Sequence, residues 1–455
     1  MQNKTNERKE NCGTAVDPGK RNPLLRLVDS FSIYRGLPKS IYTLFIATVV
    51  NGIGIFVFPF LTLFLTKKMG MGEKAAGDFM LLASLAYVPG ILTGGKLADH
   101  FGRKRVMLIS QALSGLLFVP CGFLGTSPLV PWLILASLFF DGVTDPARTA
   151  MNMDVTTPEN RQAAFSLLYL GHNLGFAFGP LIAGFLFEKA PEWLFWGNAM
   201  AILAALALVI AFIPETKPTE RQIEESLAGN STERAHEGSL ISALKSRAFL
   251  LVFVSITTWL GFVYAQNRFA LPLQLQATFS VGGAKLYGVI MTLNAALVIV
   301  FNAPIVATLR RFRPLVNVSI AGFLYTAGFG MLALVRSPVL FFVSTILWTF
   351  GEIVHATNEE VYVANHTPMS HRGRFNSILP LISGVGFSIS SSVAGRIIER
   401  AGLRPVWWLM GAVALLASCA LLVLDRAERK AASRVRTGGA KKSGESIEPQ
   451  NRSSV

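Results

Sequence analysis

The sequence predicts an all-α integral membrane protein with twelve transmembrane helices in two pseudo-symmetric six-helix bundles. Three observations carry that expectation. Hydrophobic residues make up 51% of the chain and charged residues 15%, with a mean hydropathy of +0.47. Twelve apolar stretches are each long enough to cross a bilayer. A polar, mixed-charge stretch divides them six and six. An ordinary soluble domain carries roughly 25% charge, so this chain cannot cover a water-facing surface in the usual way. The same arithmetic excludes a disordered, collagen-like or disulfide-scaffold chain. An open sheet leaves its edges unsatisfied in lipid, so the spans are read as helices.

A spanning helix needs about 20 mostly apolar residues. The expected spans are 41–66, 75–98, 105–124, 129–151, 163–187, 192–214, 248–274, 285–308, 315–335, 338–363, 374–398 and 404–425. The domains follow: a basic N-terminal segment over 1–40, a first bundle over 41–214, a linker over 215–247, a second bundle over 248–425 and a basic, disordered tail over 426–455. No short apolar stretch with a cleavage site precedes the first long one, so the first is expected to stay in the membrane. With the N-terminus inside, 32 of the 42 Lys and Arg fall on inner segments. That bias places both termini in the cytoplasm. It also accounts for the net charge of +15 without nucleic acid. Cys12, Cys121 and Cys419 are scattered, with neither disulfide nor metal spacing.

The halves read as a diverged duplication. An offset of 210 places Pro158 on Pro368 and Phe165 on Phe375. Parallel halves with a site between them are a transporter architecture.

The sharpest motif joins spans two and three: Gly95-Lys96-Leu97-Ala98-Asp99-His100-Phe101-Gly102-Arg103-Lys104-Arg105. It combines one acid, a basic cluster and glycines suited to a tight turn. It resembles the loop motif of the major facilitator superfamily, with His100 where a basic Arg is common. The resemblance covers about residues 40–425. It implies a major facilitator fold, alternating access, a small-molecule substrate and a monomer. It also implies that Asp99 contacts the start of the eleventh helix, near Gly373, in the outward-open state. An anion at a helix N-terminus gains about 0.3–1 kcal/mol. The second half has Leu309-Arg310-Arg311-Phe312-Arg313 at the matching place, without the acid or the glycines.

Span five carries Gly171, Gly175, Gly179-Pro180 and Ala183-Gly184. Glycines four apart make a flat face for close helix approach, and Pro180 permits a bend. The stretch resembles the fifth-helix motif of the superfamily's antiporters; generic small-residue contact is the plainer reading. Gly384, Gly386 and Gly395 in span eleven do not keep the pattern.

Ionisable groups within spans are costly and usually face a pathway. Asp141, Asp145 and Arg148 in span four are spaced to share one face. They are read either as a proton site or as a static pair bracing the helix. Asp145-Pro146-Ala147-Arg148 also resembles a segment of bacterial drug-efflux members. In span ten, Glu352, His355 and Glu359 share a face and Glu360 is adjacent; Glu352 falls at mid-depth, opposite Gly142. Glu359 and Glu360 are placed at the inner water boundary, with Glu359 also a cavity candidate. Arg268, next to Gln266 and Asn267, fits three roles: attracting an anionic group, closing the outer mouth or snorkelling outward. Asn51 is a mid-depth polar cavity candidate, and Asp78 is read as structural. Asp154, Glu159 and Arg161 are expected to pair with Arg103 to Arg105. His366, His371, Arg372 and Arg374 take the matching place in the second half.

No Gly-x-x-x-x-Gly-Lys-Ser/Thr, metal spacing or nucleophile elbow occurs, so neither an ATP-driven pump nor an enzyme is expected. The expectation is a proton-coupled antiporter of the bacterial drug-efflux branch, exporting small amphipathic molecules across the cell membrane. It would need no cofactor beyond the proton gradient. Proton symport of a nutrient and an amphiphile flippase are the alternatives.

Overall fold

The computed structural model describes residues 34–157, 160–216, 248–309, 311–366 and 372–442, leaving out the side chains of 372–383 and 434–442 among others. Cys12, Pro158, Glu159, Arg310, Pro368 and His371 lie outside the described residues. The side chains of Arg372, Arg374 and Phe375 do so as well.

Among the described residues the regular structure is helical throughout. Eleven helical stretches are long and apolar enough to cross a membrane, and the helix Arg372–Ala401 supplies the twelfth span. The first six are Lys39–Lys68, Glu73–Phe101, Arg103–Leu124, Leu129–Asp154, Arg161–Lys189 and Glu192–Phe212. The second six are Ala248–Phe279, Gly283–Leu309, Pro314–Met331, Pro338–His366, Arg372–Ala401 and Leu403–Lys442. Within the first half, span four packs on spans two and three, and span one packs on spans five and six. Span nine packs on ten and twelve in the second half. There Phe329 stacks between Trp348 and Trp407, at 5.8 and 6.2 Å.

Four expectations are corrected. Span one is not continuous: it stops at Ile53, resumes over Val57–Leu63 and ends in a π-turn over Phe64–Lys68. Gly52 and Gly54 loosen the helix, and Pro59 falls in the first turn of the resumed piece, where its missing N–H costs nothing. Span seven breaks after Tyr264, makes a 3-10 turn over Ala265–Asn267 and resumes over Ala270–Phe279. Span twelve runs on to Lys442, so residues 426–442 are helical rather than disordered. Their Glu, Arg, Lys and Ala are strong helix formers with no proline among them. Finally, spans two and three meet with almost no loop. Only Gly102, at φ 102°, separates them, a left-handed conformation that suits glycine. Gly95 lies inside the helix against Pro146 rather than in a turn.

Candidate functional site

The basic residues Arg103 and Arg313 mark one end of the spans, here termed the basic face. The opposite end is the far face. The two halves meet through spans two and eleven and through spans five and eight. Their contacts lie toward the far face. Gly77 in span two abuts the backbone of Ser391 and Ser392, and Gly395 abuts that of Glu73 and Lys74. A side chain at any of these glycines would push the halves apart. The Arg396 guanidinium lies 3.0 Å from the Asp78 carboxylate, and the Ser392 hydroxyl donates to the same acid. Asp78 therefore joins the halves, and the structural role read from the sequence becomes a specific one. On the other side, Gly184 sits 2.9 Å from the Ala284 carbonyl, measured from where its Cβ would be. The Thr292 hydroxyl donates to the Ala177 carbonyl at 2.7 Å, and Gln276 donates to Glu188 at 3.3 Å. These contacts hold the two halves together toward the far face.

The fifth-helix motif is divided between two tasks. Gly171, Gly175 and Gly179 lie against Phe45, Gly52 and Ile53 of span one, inside the first half. Pro180 and Gly184 lie against Gly288 and Ala284 of span eight, in the other half. A register of glycines thus lets one helix touch backbone on both sides.

In the first half the three ionisable residues of span four do not act as one group. Asp141 accepts a 2.6 Å hydrogen bond from Ser114 of span three, which also contacts Ser137 at 2.9 Å. Asp145 accepts from the Tyr87 hydroxyl of span two and pairs with Arg148 at 3.3 Å. The two acids lie about 40° apart around the helix axis, on the face read from the spacing. Span four is held between spans two and three, and Asp141 meets span three while Asp145 meets span two. The Asp145 side chain remains 45% exposed, unlike a packed core carboxylate.

In the second half Glu352 accepts a 2.7 Å hydrogen bond from Asn294 of span eight. Asn294 is itself held near Thr349 at 3.1 Å, and Tyr264 of span seven also faces the carboxylate. His355 Nε2 lies 3.2 Å from a Glu359 carboxylate oxygen, off ideal hydrogen-bond alignment. The Thr257 hydroxyl donates to Glu359 at 3.0 Å. Glu359 is thus tied to span seven, with its side chain 26% exposed. Its neighbour Glu360 is exposed.

Arg268 occupies the break in span seven. Its carbonyl accepts from Thr62 of span one at 2.9 Å, and its guanidinium lies 5.9 Å from the Phe387 ring centroid. Gln266 beside it donates to the Ser390 carbonyl at 3.2 Å. Asn51 is half-buried just before the break in span one.

At the basic face Arg103 bonds Asp154 at 2.6 Å and approaches Asp99 at 3.8 Å. Asp99 is 76% exposed, and the side chains at the start of the eleventh helix, its partner in the resemblance, lie outside the described residues. The backbone N–H groups of Lys104 and Arg105 donate to Glu215 at 3.0 and 3.2 Å. The Lys104 ammonium donates to the Ile210 carbonyl at 3.2 Å. Arg161 turns instead to Thr156 at 3.4 Å. In the second half Arg313 lies 2.6 Å from Asp425 and 2.8 Å from Glu428, and His366 meets Glu428 at 2.8 Å.

Twelve spans in two halves, broken first and seventh helices and a site between them call for comparison with known transporters. A family model described as the Major Facilitator Superfamily matches residues 44–358. The chain belongs to this superfamily. Its curated relatives include the uncharacterized MFS-type transporter YqjV of Bacillus subtilis (strain 168), 27% identical over 78% of this chain and 84% of that one. A Na(+), Li(+), K(+)/H(+) antiporter of Planococcus maritimus is 25% identical over 73% of this chain and 83% of its own. The multidrug resistance protein MdtH of Yersinia enterocolitica is 23% identical over 82% and 92%. Among solved structures, the nucleoside transporter NupG aligns with a TM-score of 0.66 at 14% identity, covering 85% of this chain and 99% of that one. The likeness to that structure concerns the fold. The chain is therefore a multi-pass membrane transporter rather than an enzyme.

Several partners escaped the sequence reading: Tyr87, Ser114, Asn294, Glu215, Asp425 and the Asp78–Arg396 pair. Asn294 carried a signal, being an amide near the middle of an apolar span. Glu215 and Asp425 carried another. They lie 210 positions apart, as do Arg103 and Arg313, so the duplication pairs each acid with a base.

Proposed function

We propose that the chain is a proton-coupled antiporter that exports small amphipathic, drug-like molecules. On this reading it works as a monomer in the cell membrane, with the basic face and both termini in the cytoplasm and the proton gradient as its energy source. One observation carries the reading: each half holds one carboxylate in a polar nest beside the interface between the halves. Asp145 has Tyr87 and Arg148; Glu352 has Asn294 and Tyr264. Uptake of a proton removes a charge from a medium in which charge is costly. It therefore changes the relative free energy of the two inter-half arrangements, which is what coupling requires. The glycine-rich fifth helix and the antiporter among the relatives support exchange over co-transport.

The experiment is substrate-evoked proton movement in proteoliposomes under an imposed pH gradient. Asp145→Asn and Glu352→Gln should each lower proton-coupled flux at least tenfold while the proteins stay monodisperse. Transport indifferent to the gradient, with both variants fully active, rejects the reading. The direction of accumulation separates export from nutrient symport, and headgroup accessibility separates both from a flippase.

A further inference from the structure

We propose that Arg268 is an anion-binding subsite at the far-face end of the space between the halves, and that the transported molecules include amphipathic aryl carboxylates. The inference rests on that space being the substrate path; it does not depend on the direction of the proton.

An arginine within a span is expected to be paired. Elsewhere the rule is obeyed: Arg148 has Asp145, Arg396 has Asp78, Arg103 has Asp154 and Arg313 has Asp425. Among the described residues no carboxylate lies within 4.0 Å of the Arg268 guanidinium. Outward snorkelling does not account for this. Its guanidinium is turned toward the Phe387 ring of span eleven, one of the helices on which the halves meet, and its carbonyl is held by Thr62 of span one. A side chain laid toward a helix of the interface points inward.

The position is held independently of the side chain. The helix is already broken there, Thr62 grips the Arg268 carbonyl, and Gln266 anchors the turn to Ser390. Glu352 does not neutralise the guanidinium at contact distance, because Asn294 holds it at 2.7 Å. A guanidinium presents a planar fork of N–H donors that matches a carboxylate bidentately. With a ring on one face of the guanidinium, the N–H edge stays available to an incoming anion. Phe387 beside the guanidinium offers aromatic surface to the body of such a ligand. The combination selects a flat, apolar molecule with one anionic group.

The test is equilibrium binding to the full-length protein in phosphatidylcholine nanodiscs, with no gradient present. The probes are naphthalene-2-carboxylate, its uncharged amide and naphthalen-2-ylmethylamine. The wild type should bind the carboxylate at least tenfold more tightly than the amide or the amine. Arg268→Gln should erase that preference, Arg268→Lys should restore part of it, and Phe387→Leu should weaken carboxylate binding a few-fold. Should Arg268→Gln fail to fold, the lysine and leucine variants carry the same reading. No carboxylate binding, equal binding of acid and amide, or an undiminished preference in the variants overturns the proposal. Proton exchange for the amine without carboxylate binding would defeat this inference and leave the antiport standing. Carboxylate binding without proton exchange would do the reverse.

Discussion

The two halves of the molecule place their membrane acids by different means at matched positions. In the second half Glu352 stands at mid-depth of span ten, with Asn294 close enough to donate to it. The matching position in the first half, 210 residues earlier, is Gly142. There the backbone of span two comes so close that a Cβ on Gly142 would collide with the Tyr87 carbonyl and reach within 3.1 Å of the Gly90 Cα. A carboxylate cannot be housed at that point. The first half carries its accessible acid one turn on, at Asp145, the position matched by His355 in the second half. A duplicated scaffold can thus keep its helix order while close packing on one side decides where a charge is tolerated.

The most damaging way to break this difference is to transplant the acid. Gly142→Glu drives a side chain into backbone, which cannot retreat as a flexible side chain would. Overpacking usually costs about 1–3 kcal/mol and occasionally more. A buried charge without a partner adds to that. We expect loss of monodisperse protein, read by size exclusion and thermal unfolding. Gly142→Glu protein as stable as wild type would mean that spans two and four separate more readily than their contact implies.

A finer comparison removes one hydrogen-bond donor from each nest. Asn294→Leu removes one donor from Glu352 and leaves Tyr264 facing the carboxylate. A buried polar group left unsatisfied costs about 1–3 kcal/mol. Tyr87→Phe removes the hydroxyl from Asp145, but that acid keeps Arg148 at 3.3 Å and is 45% exposed. Its cost should stay below about 1 kcal/mol. The midpoint of thermal unfolding in detergent should fall more for Asn294→Leu. Equal shifts would show that the two nests are equally dry.

Much of this architecture was legible in the sequence, and the exceptions have physical causes. The twelve spans followed from length and apolarity, which the bilayer imposes directly. The breaks in spans one and seven did not, because hydropathy is blind to backbone geometry; only Gly52, Gly54 and Pro59 hinted at the first. The acids of spans four and ten were visible as charges in apolar surroundings. Their partners were not, since Ser114, Tyr87 and Asn294 are brought near by helix packing across 27, 58 and 58 residues. Spacing placed Asp141 and Asp145 on one face, but it could not show that Ser114 of span three and Tyr87 of span two take one acid each. The turn at Gly102 was expected, and the helical character of Gly95 was not, because a glycine serves equally well where two helices touch.

The smallest effects belong to the basic face, where the duplication pairs Glu215 with Arg103's helix and Asp425 with Arg313. Glu215 accepts the N–H groups of Lys104 and Arg105, two of the four donors that a helix leaves orphaned at its start. Losing a side-chain cap costs about 0.5–2 kcal/mol. Asp425 is buried, yet its partners Arg313 and Arg429 are 40% and 59% exposed. Both arginines can turn to water, and Glu428 still holds Arg313 at 2.8 Å. Glu215→Ala should therefore lower the unfolding temperature more than Asp425→Ala, by a few degrees against one or less. A larger loss in Asp425→Ala would mean that the second half depends on its charge cluster as the first depends on its cap. In that case the equivalence of the two basic-face pairs would extend from position to energetics.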